Sequence, residues 1–193
     1  MSKKLILASS SPRRRDLLSS LGIEFEVVPA NVQETPTTHE IAKDFALRVA
    51  GKKALAVGGK YAYAWVIGAD TVVTIEDKIL GKPQNSEEAK MMLQQLANKE
   101  HIVITGYVLF NSEERKKIER VEETRVKIKH LEEKEINWYI NTGEPFDKAG
   151  GYAIQGKGNF LVEWIQGSYT NVVGLPLCQL VELLNDLEII DIF

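Results

Sequence analysis

Leu5-Ile6-Leu7-Ala8-Ser9-Ser10-Ser11-Pro12-Arg13-Arg14-Arg15-Asp16 is the stretch from which the rest of the chain can be read. Residues 4–8 have the apolar composition of a short buried strand, and the strand runs without a linker into a helix start. Proline suits the first position of a helix, and a serine hydroxyl just before it can accept from the free N–H groups there. Leu17, Leu18 and Leu21 then supply the apolar stripe of a short helix that Gly22 can stop. A buried strand delivering three arginines to a helix N-terminus favours an anion site, because N–H groups, helix dipole and guanidinium forks converge there. Three solvated arginines are the plainer alternative. Arginine is mildly unfavourable at a helix start, and that local conflict is itself a pointer to function.

Working outward, a second strand is expected over residues 25–29 and a loop over 31–38. A helix over about 40–57 follows, with Ile41, Phe45, Val49 and Ala50 at helical spacing. Residues 64–68 read as a fully apolar strand that Ala69-Asp70-Thr71 interrupts before residues 72–75 resume it. Glu76-Asp77-Lys78 is a hairpin turn, and a third helix starts near Asn85 or Ser86. Residues 101–110 and 118–131 read as long strands. A short helix over 132–141 leads to a segment, 143–158, dense in glycine, where tight turns and close backbone approach to a ligand are expected. A strand over 160–165, a loop over 167–174 and a final amphipathic helix over 175–187 complete the chain. The class expected is α/β, a mixed, partly antiparallel twisted sheet flanked by helices, in one domain or two-lobed unit over 1–193.

The 193 residues carry 24 Lys+Arg against 27 Asp+Glu, a net charge of −3, with 44% hydrophobic residues. That composition is globular, and it speaks against a general nucleic-acid surface, which needs a clustered basic face. No apolar run reaches the length of a membrane span, and residues 5–8 are too short for a secretory core, so a cytoplasmic location is expected. The single cysteine, Cys178, sits among leucines and reads as a buried structural thiol. His39, His101 and His130 stand too far apart in sequence to suggest a zinc site.

Asp70, at the end of an apolar strand, is costly to bury unless paired, hydrogen-bonded or metal-bound, which makes it a candidate base or metal ligand. A turn or capping aspartate is the alternative. Lys82 before Pro83, and Lys53 beside Lys52, could each reach a pocket or face water. Glu34 could complete an oxygen site for Mg²⁺. Ser9, Ser10 and Ser11 have no evident histidine partner and read as phosphate donors or caps. The phosphate-loop, dinucleotide and nucleophile-elbow signatures are absent. The residues alone lead to a metal-assisted hydrolase, or a binder, of a small phosphorylated ligand.

Leu7-Ala8-Ser9-Ser10-Ser11-Pro12-Arg13-Arg14, Gly68-Ala69-Asp70-Thr71-Val72-Val73, Lys82-Pro83, and Gly143-Glu144-Pro145-Phe146-Asp147-Lys148-Ala149-Gly150 with Tyr152, Ile154, Gln155 and Gly156 occur in order along the chain. With Asn171-Val172-Val173-Gly174-Leu175-Pro176, this set resembles the Maf nucleotide pyrophosphatases over essentially the whole length. The resemblance implies the Maf and inosine-triphosphatase type of two-lobed fold. It also implies a cytoplasmic, usually dimeric house-cleaning enzyme that converts a nucleoside triphosphate to the monophosphate and pyrophosphate with Mg²⁺ or Mn²⁺. The string from Asp147 to Gly156 resembles the branch acting on dTTP and UTP, with 7-methyl-GTP as the alternative substrate and regulatory nucleotide binding as the alternative role. By the same resemblance Asp70 is the proton acceptor and, with Glu34, a metal ligand. Arg13, Thr71 and Gln155 select the base, and Ser9, Arg14, Lys53 and Lys82 line the substrate. Gln33 stands where many relatives have an acid, which would lower metal affinity if that acid is a ligand.

Overall fold

The computed structural model describes residues 4–191. Seven strands, β1 (Lys4–Leu7), β2 (Glu26–Val27), β3 (Ala64–Ile75), β4 (Lys78–Leu80), β5 (Glu100–Asn111), β6 (Lys116–Ile128) and β7 (Val162–Gln166), form one sheet. Its order is β2-β1-β3-β5-β6-β7, with β4 paired to β3. β1 runs parallel to both β2 and β3, whereas β3–β4 and β6–β7 are antiparallel, so the sheet is mixed as expected. Six helices among the described residues accompany it: α1 (Pro12–Ser19), α2 (Ala42–Gly58), α3 (Ser86–Leu96), α4 (Glu133–Asn141), α5 (Tyr169–Val173) and α6 (Leu177–Asp186). The described residues divide into two compact units, the first lying within 1–70, 105–122 and 174–193 and the second within 71–104 and 123–173.

In the first unit, strand alternation sorts side chains to two faces. Leu5, Leu7, Trp65, Ile67, Tyr107 and Leu109 join Leu18 of α1 and Leu180 and Leu184 of α6 in one cluster. Ile6, Ala8, Val66, Val108 and Phe110 join Ala50, Ala54 and Val57 of α2 in the other. Each fully buried leucine or isoleucine contributes about 1.5 to 3 kcal/mol. Gly68 continues the second face, and a β-carbon there would lie 2.2 Å from the Ala50 carbonyl oxygen. The missing side chain lets α2 settle against β3.

The second unit is built around Val73, Leu93, Leu96, Val126, Ile136, Tyr139, Tyr152 and Leu161, with α3 and α4 contributing their apolar faces. Glu76 and Asp77 both have positive φ, 51° and 62°, the two-residue turn that matches strand twist in the β3–β4 hairpin. Asn85 caps α3 by accepting from the Glu88 N–H at 2.9 Å, and Glu132 and Glu135 form a capping box on α4.

Three expectations change. β3 is continuous through Asp70, because the carboxylate is paired within the first unit and its backbone need not leave the ladder. The expected loop 167–174 contains α5, whose Asn171 is buried and donates through Nδ2 to the Val103 carbonyl (3.1 Å) and to Thr124 Oγ1 (2.9 Å). Cys178 is exposed, because α6 buries Leu180, Val181 and Leu184 and turns position 178 outward.

Candidate active site

The strand parity that places Val66 and Gly68 toward α2 also places Asp70 there, and helical spacing puts Lys53 on the face of Ala50, Ala54 and Val57. Lys53 is 6% exposed and Asp70 7%. The Lys53 ammonium donates to Asp70 Oδ1 at 2.8 Å and to the Ala69 carbonyl at 3.4 Å, and it pairs with Glu34 Oε1 at 2.8 Å. Three ammonium hydrogens thus meet three oxygens. Lys52, its neighbour, faces solvent, which resolves the ambiguity between the two.

Burial raises the Asp70 carboxyl above its ordinary value, against the pull of Lys53 and Arg14, and the Glu34 charge adds to the rise. A buried carboxylate held in this way is suited to accept a proton. Arg14 is buried beside it. Ser11 caps α1 from the position before Pro12, accepting from the Arg14 N–H, and the chain direction sends the Arg14 side chain inward. Its Nε donates to the Gly174 carbonyl at 2.7 Å and its Nη1 to Ser9 Oγ at 3.5 Å. Burial lowers its affinity for the proton, while the charges of Asp70 and Glu34 raise it. Arg13 is half-buried, and Arg15 is exposed and paired with Asp16.

The first unit therefore brings together Ser9, Arg14, Glu34, Lys53 and Asp70. Their oxygen donors suit a hard cation: Asp70 and Glu34 meet at one ammonium, and Mg²⁺ typically takes one or two carboxylates plus phosphate oxygens. Among the described residues no group of three or more His, Cys, Asp or Glu could hold a metal ion, so a cation here would draw its other ligands from substrate and water. His101 is buried in the second unit and belongs to no such group.

The second unit carries Thr71, Lys82 and Gln155. Thr71 follows Asp70 on β3 and is half-buried, as is Gln155, whereas Lys82 is exposed and its carbonyl accepts from Gln84 Nε2 at 2.9 Å. Gln155 precedes the last of three 3₁₀ turns, Glu144–Asp147, Ala149–Gly151 and Gly156–Leu161, into which the glycine-rich segment folds.

Two supports escaped the sequence reading. Arg48 of α2 binds Glu40 at 2.6 and 2.7 Å and the Thr35 carbonyl at 3.0 Å, fastening the loop that carries Glu34. This pairing holds the Glu40 carboxyl down at about 2. In the second unit His101 Nε2 lies 2.6 Å from the Tyr152 hydroxyl, at the start of the string that leads to Gln155. A single buried-strand histidine was the available signal for the latter.

The family model for Maf-like proteins matches residues 4–187. The chain belongs to the Maf family. A dTTP/UTP pyrophosphatase of Syntrophus aciditrophicus is 46% identical to this Maf chain over 187 residues, covering 97% of it and 91% of the relative. A second, from Pyrococcus horikoshii, is 49% identical over 179 residues, covering 93% and 94%. Among solved structures, a nucleoside-triphosphatase (dITP/XTP pyrophosphatase) of Mycobacterium abscessus aligns with 66% of this Maf chain and 75% of its own at 17% identity and a TM-score of 0.44.

Proposed function

We propose that this Maf protein is a nucleoside triphosphate pyrophosphatase that hydrolyses dTTP and UTP to the nucleoside monophosphate and pyrophosphate. The observation that carries the proposal is the buried Asp70 carboxylate, shifted upward by burial and held by Lys53 with Arg14 alongside. Relatives 46% and 49% identical and named for that reaction support it.

In the proposed reaction a water oxygen attacks the α-phosphorus and its proton passes to Asp70. The bond from phosphorus to the bridging oxygen of the β-phosphate breaks, and pyrophosphate leaves with the electron pair. Phosphoryl transfer depends mostly on positioning and charge stabilisation, which suits a cluster of buried cations without a protein nucleophile. Arg14, with Arg13 beside it, faces the anion with donors already oriented by Ser9 and the Gly174 carbonyl. Lys53 keeps Asp70 and Glu34 in register before substrate arrives. Asp70 and Glu34 would hold Mg²⁺ or Mn²⁺, which when bound supplies positive charge to the phosphate oxygens. Lys82 is assigned to the triphosphate, and Arg13, Thr71 and Gln155 to base selection, on the match of motif positions. Gln155 has the donors and acceptor needed to read a pyrimidine edge.

We place the enzyme in the cytoplasm as a homodimer, with a small nucleotide rather than a nucleic-acid polymer as its partner. No helix among the described residues is long and apolar enough to cross a membrane. The whole of residues 1–193 is taken as one functional domain.

The test is pyrophosphate release from dTTP, UTP, CTP and 7-methyl-GTP by the wild type and by Asp70→Asn. The wild type should favour dTTP and UTP, and the variant should remain folded by circular dichroism while losing about 10²- to 10⁴-fold in kcat. Near-normal turnover in folded Asp70→Asn removes the base assignment. A preference for 7-methyl-GTP overturns the substrate, and nucleotide binding without pyrophosphate release reduces the protein to a binder.

A further inference from the structure

Glu144 lies in the first 3₁₀ turn of the glycine-rich segment, eleven residues before Gln155, and has no part in the proton-accepting cluster. Its carboxylate accepts from the Lys157 N–H at 3.0 and 3.1 Å and from the Gly158 N–H at 3.2 Å. These are the second and third N–H groups of the turn that Gly156 opens and Gln155 precedes, so the carboxylate caps that turn with a negative charge. The fit is close. Gly156 has φ +69°, and a β-carbon there would lie 2.9 Å from Glu144 Oε1. Glycine suits the left-handed backbone there and leaves the carboxylate room to approach.

Glu144 is itself held from both sides. Its N–H donates to Thr142 Oγ1 at 3.2 Å, and its carbonyl accepts from Lys148 Nζ at 3.1 Å. Lys148 also pairs with Asp147, and Thr142 Oγ1 donates to the Tyr139 carbonyl at 2.6 Å, which carries the chain of contacts back to the end of α4. On the other side of Gln155, Tyr152 is anchored by its 2.6 Å contact to His101. Gln155 therefore sits between two fixed points, Tyr152 three residues before it and the capped N–H groups two and three residues after it. A side chain that must present an amide to a base edge depends on its backbone being held, and Glu144 is the part of that holding that also carries charge.

We infer that Glu144 is the positioning residue for Gln155, and through it a determinant of pyrimidine selection; the inference rests on the base-selecting role proposed for Gln155. Its carboxylate is engaged by backbone N–H groups, and its loss leaves the proton acceptor intact.

The experiment compares kcat and KM for dTTP and for dGTP in wild type, Glu144→Ala, Glu144→Gln, Gln155→Ala and Glu144→Ala/Gln155→Ala. In Glu144→Ala the dTTP-to-dGTP ratio of kcat/KM should fall about tenfold, chiefly through KM for dTTP. Glu144→Gln, which keeps one acceptor oxygen and the shape, should fall between and carries the test if the alanine variant does not fold. In the Gln155→Ala background the further substitution at 144 should leave the ratio unchanged, because the group it positions is gone. Amide exchange at Lys157 and Gly158 should quicken in Glu144→Ala. A purely structural role would lower activity toward both nucleotides equally and in both backgrounds, and that result overturns the inference, as does unchanged exchange at the two amides. If Gln155→Ala lowers the ratio and neither Glu144 variant does, the positioning role alone falls. If Gln155→Ala leaves the ratio untouched, the base-selecting reading falls and takes the inference with it.

Discussion

The charged cluster of the first unit rests mainly on side chains carried by regular elements, with Glu34 brought to it by a loop, whereas the glycine-rich segment of the second is made of backbone groups in irregular turns. Lys53 on α2, Asp70 on β3 and Arg14 at the head of α1 owe their places to strand parity, helical spacing and a cap. Residues 143–158 owe theirs to Glu144, to the His101–Tyr152 pair and to four glycines with positive φ, Gly143, Gly150, Gly151 and Gly156. Under the proposed function the contrast matches two tasks. Charge that must be kept out of water is best carried on elements whose backbones are already satisfied, while a backbone that must follow the outline of a ligand has to be satisfied one N–H at a time.

Removing Lys53 should break the first region hardest. Lys53→Met leaves Asp70 buried without its ammonium and facing Glu34, and should cost about 3 kcal/mol. That is the lower end of the range for breaking a buried pair, since Glu34 is 41% exposed and screened by water. Urea unfolding measures it, with pyrophosphate release falling in parallel. Stability within 1 kcal/mol of wild type, on the order of an exposed pair, would mean that the cluster is not held together by its charges.

The second region is best probed by pH. Burial holds the His101 imidazole down at about 4, and its Nδ1 has no hydrogen-bond partner among the described residues. The folded protein keeps His101 neutral, while the unfolded chain protonates it near 6.5. The unfolded state therefore takes up the proton first as pH falls. Stability from this group is complete above pH 6.5 and is lost down through about 4, amounting to about 2 to 3 kcal/mol. In His101→Leu/Tyr152→Phe, which removes both polar partners, the loss of unfolding free energy between pH 7 and 4.5 should shrink by about that amount. An unaltered pH slope would show that the histidine is solvated in the folded protein.

The arginine run sharpens the comparison within the first region. Arg14→Lys keeps a charge but loses the fork that spans Ser9 and the Gly174 carbonyl, and should lower kcat/KM by about 2 kcal/mol, roughly 30-fold. Arg13→Ala should cost less than that, and Arg15→Ala, an exposed pair with Asp16, less than about 1 kcal/mol. Equal small losses at all three would mean that the run takes no part in substrate handling and that Arg14 serves only to hold the Gly174 carbonyl.

How much could be read beforehand followed the same division. The arginine run and Asp70 were legible because each rests on a short-range rule, proline after a capping serine and an acid where an apolar strand should stay apolar, whereas Lys53 and Glu34 were singled out through the family resemblance. The choice between Lys52 and Lys53 was open because two adjacent lysines look alike in sequence, and the apolar stripe was read from Ile41, which the structure leaves exposed. The break expected at Asp70 failed because the pairing that tolerates a buried carboxylate comes from seventeen residues away. Glu40–Arg48, Glu144–Lys157 and His101–Tyr152 join partners 8, 13 and 51 residues apart, and no local pattern distinguishes these side chains from ordinary solvated or core ones. Cys178 was misplaced by counting leucines around it rather than asking which side of α6 it occupies.

Gly68 has a consequence for how this protein can change over time. Its backbone lies outside the left-handed region, so no torsional need for glycine exists there; the obstacle is the helix carbonyl that any β-carbon would strike. All nineteen alternatives carry that carbon, so every substitution there forces a shift of main chain. Because the colliding atom belongs to the main chain of α2, no exchange of a side chain elsewhere can make room. Relief comes from parting α2 and β3, which would draw Lys53 away from Asp70. At this position a lineage cannot trade stability against activity, since the same displacement spends both.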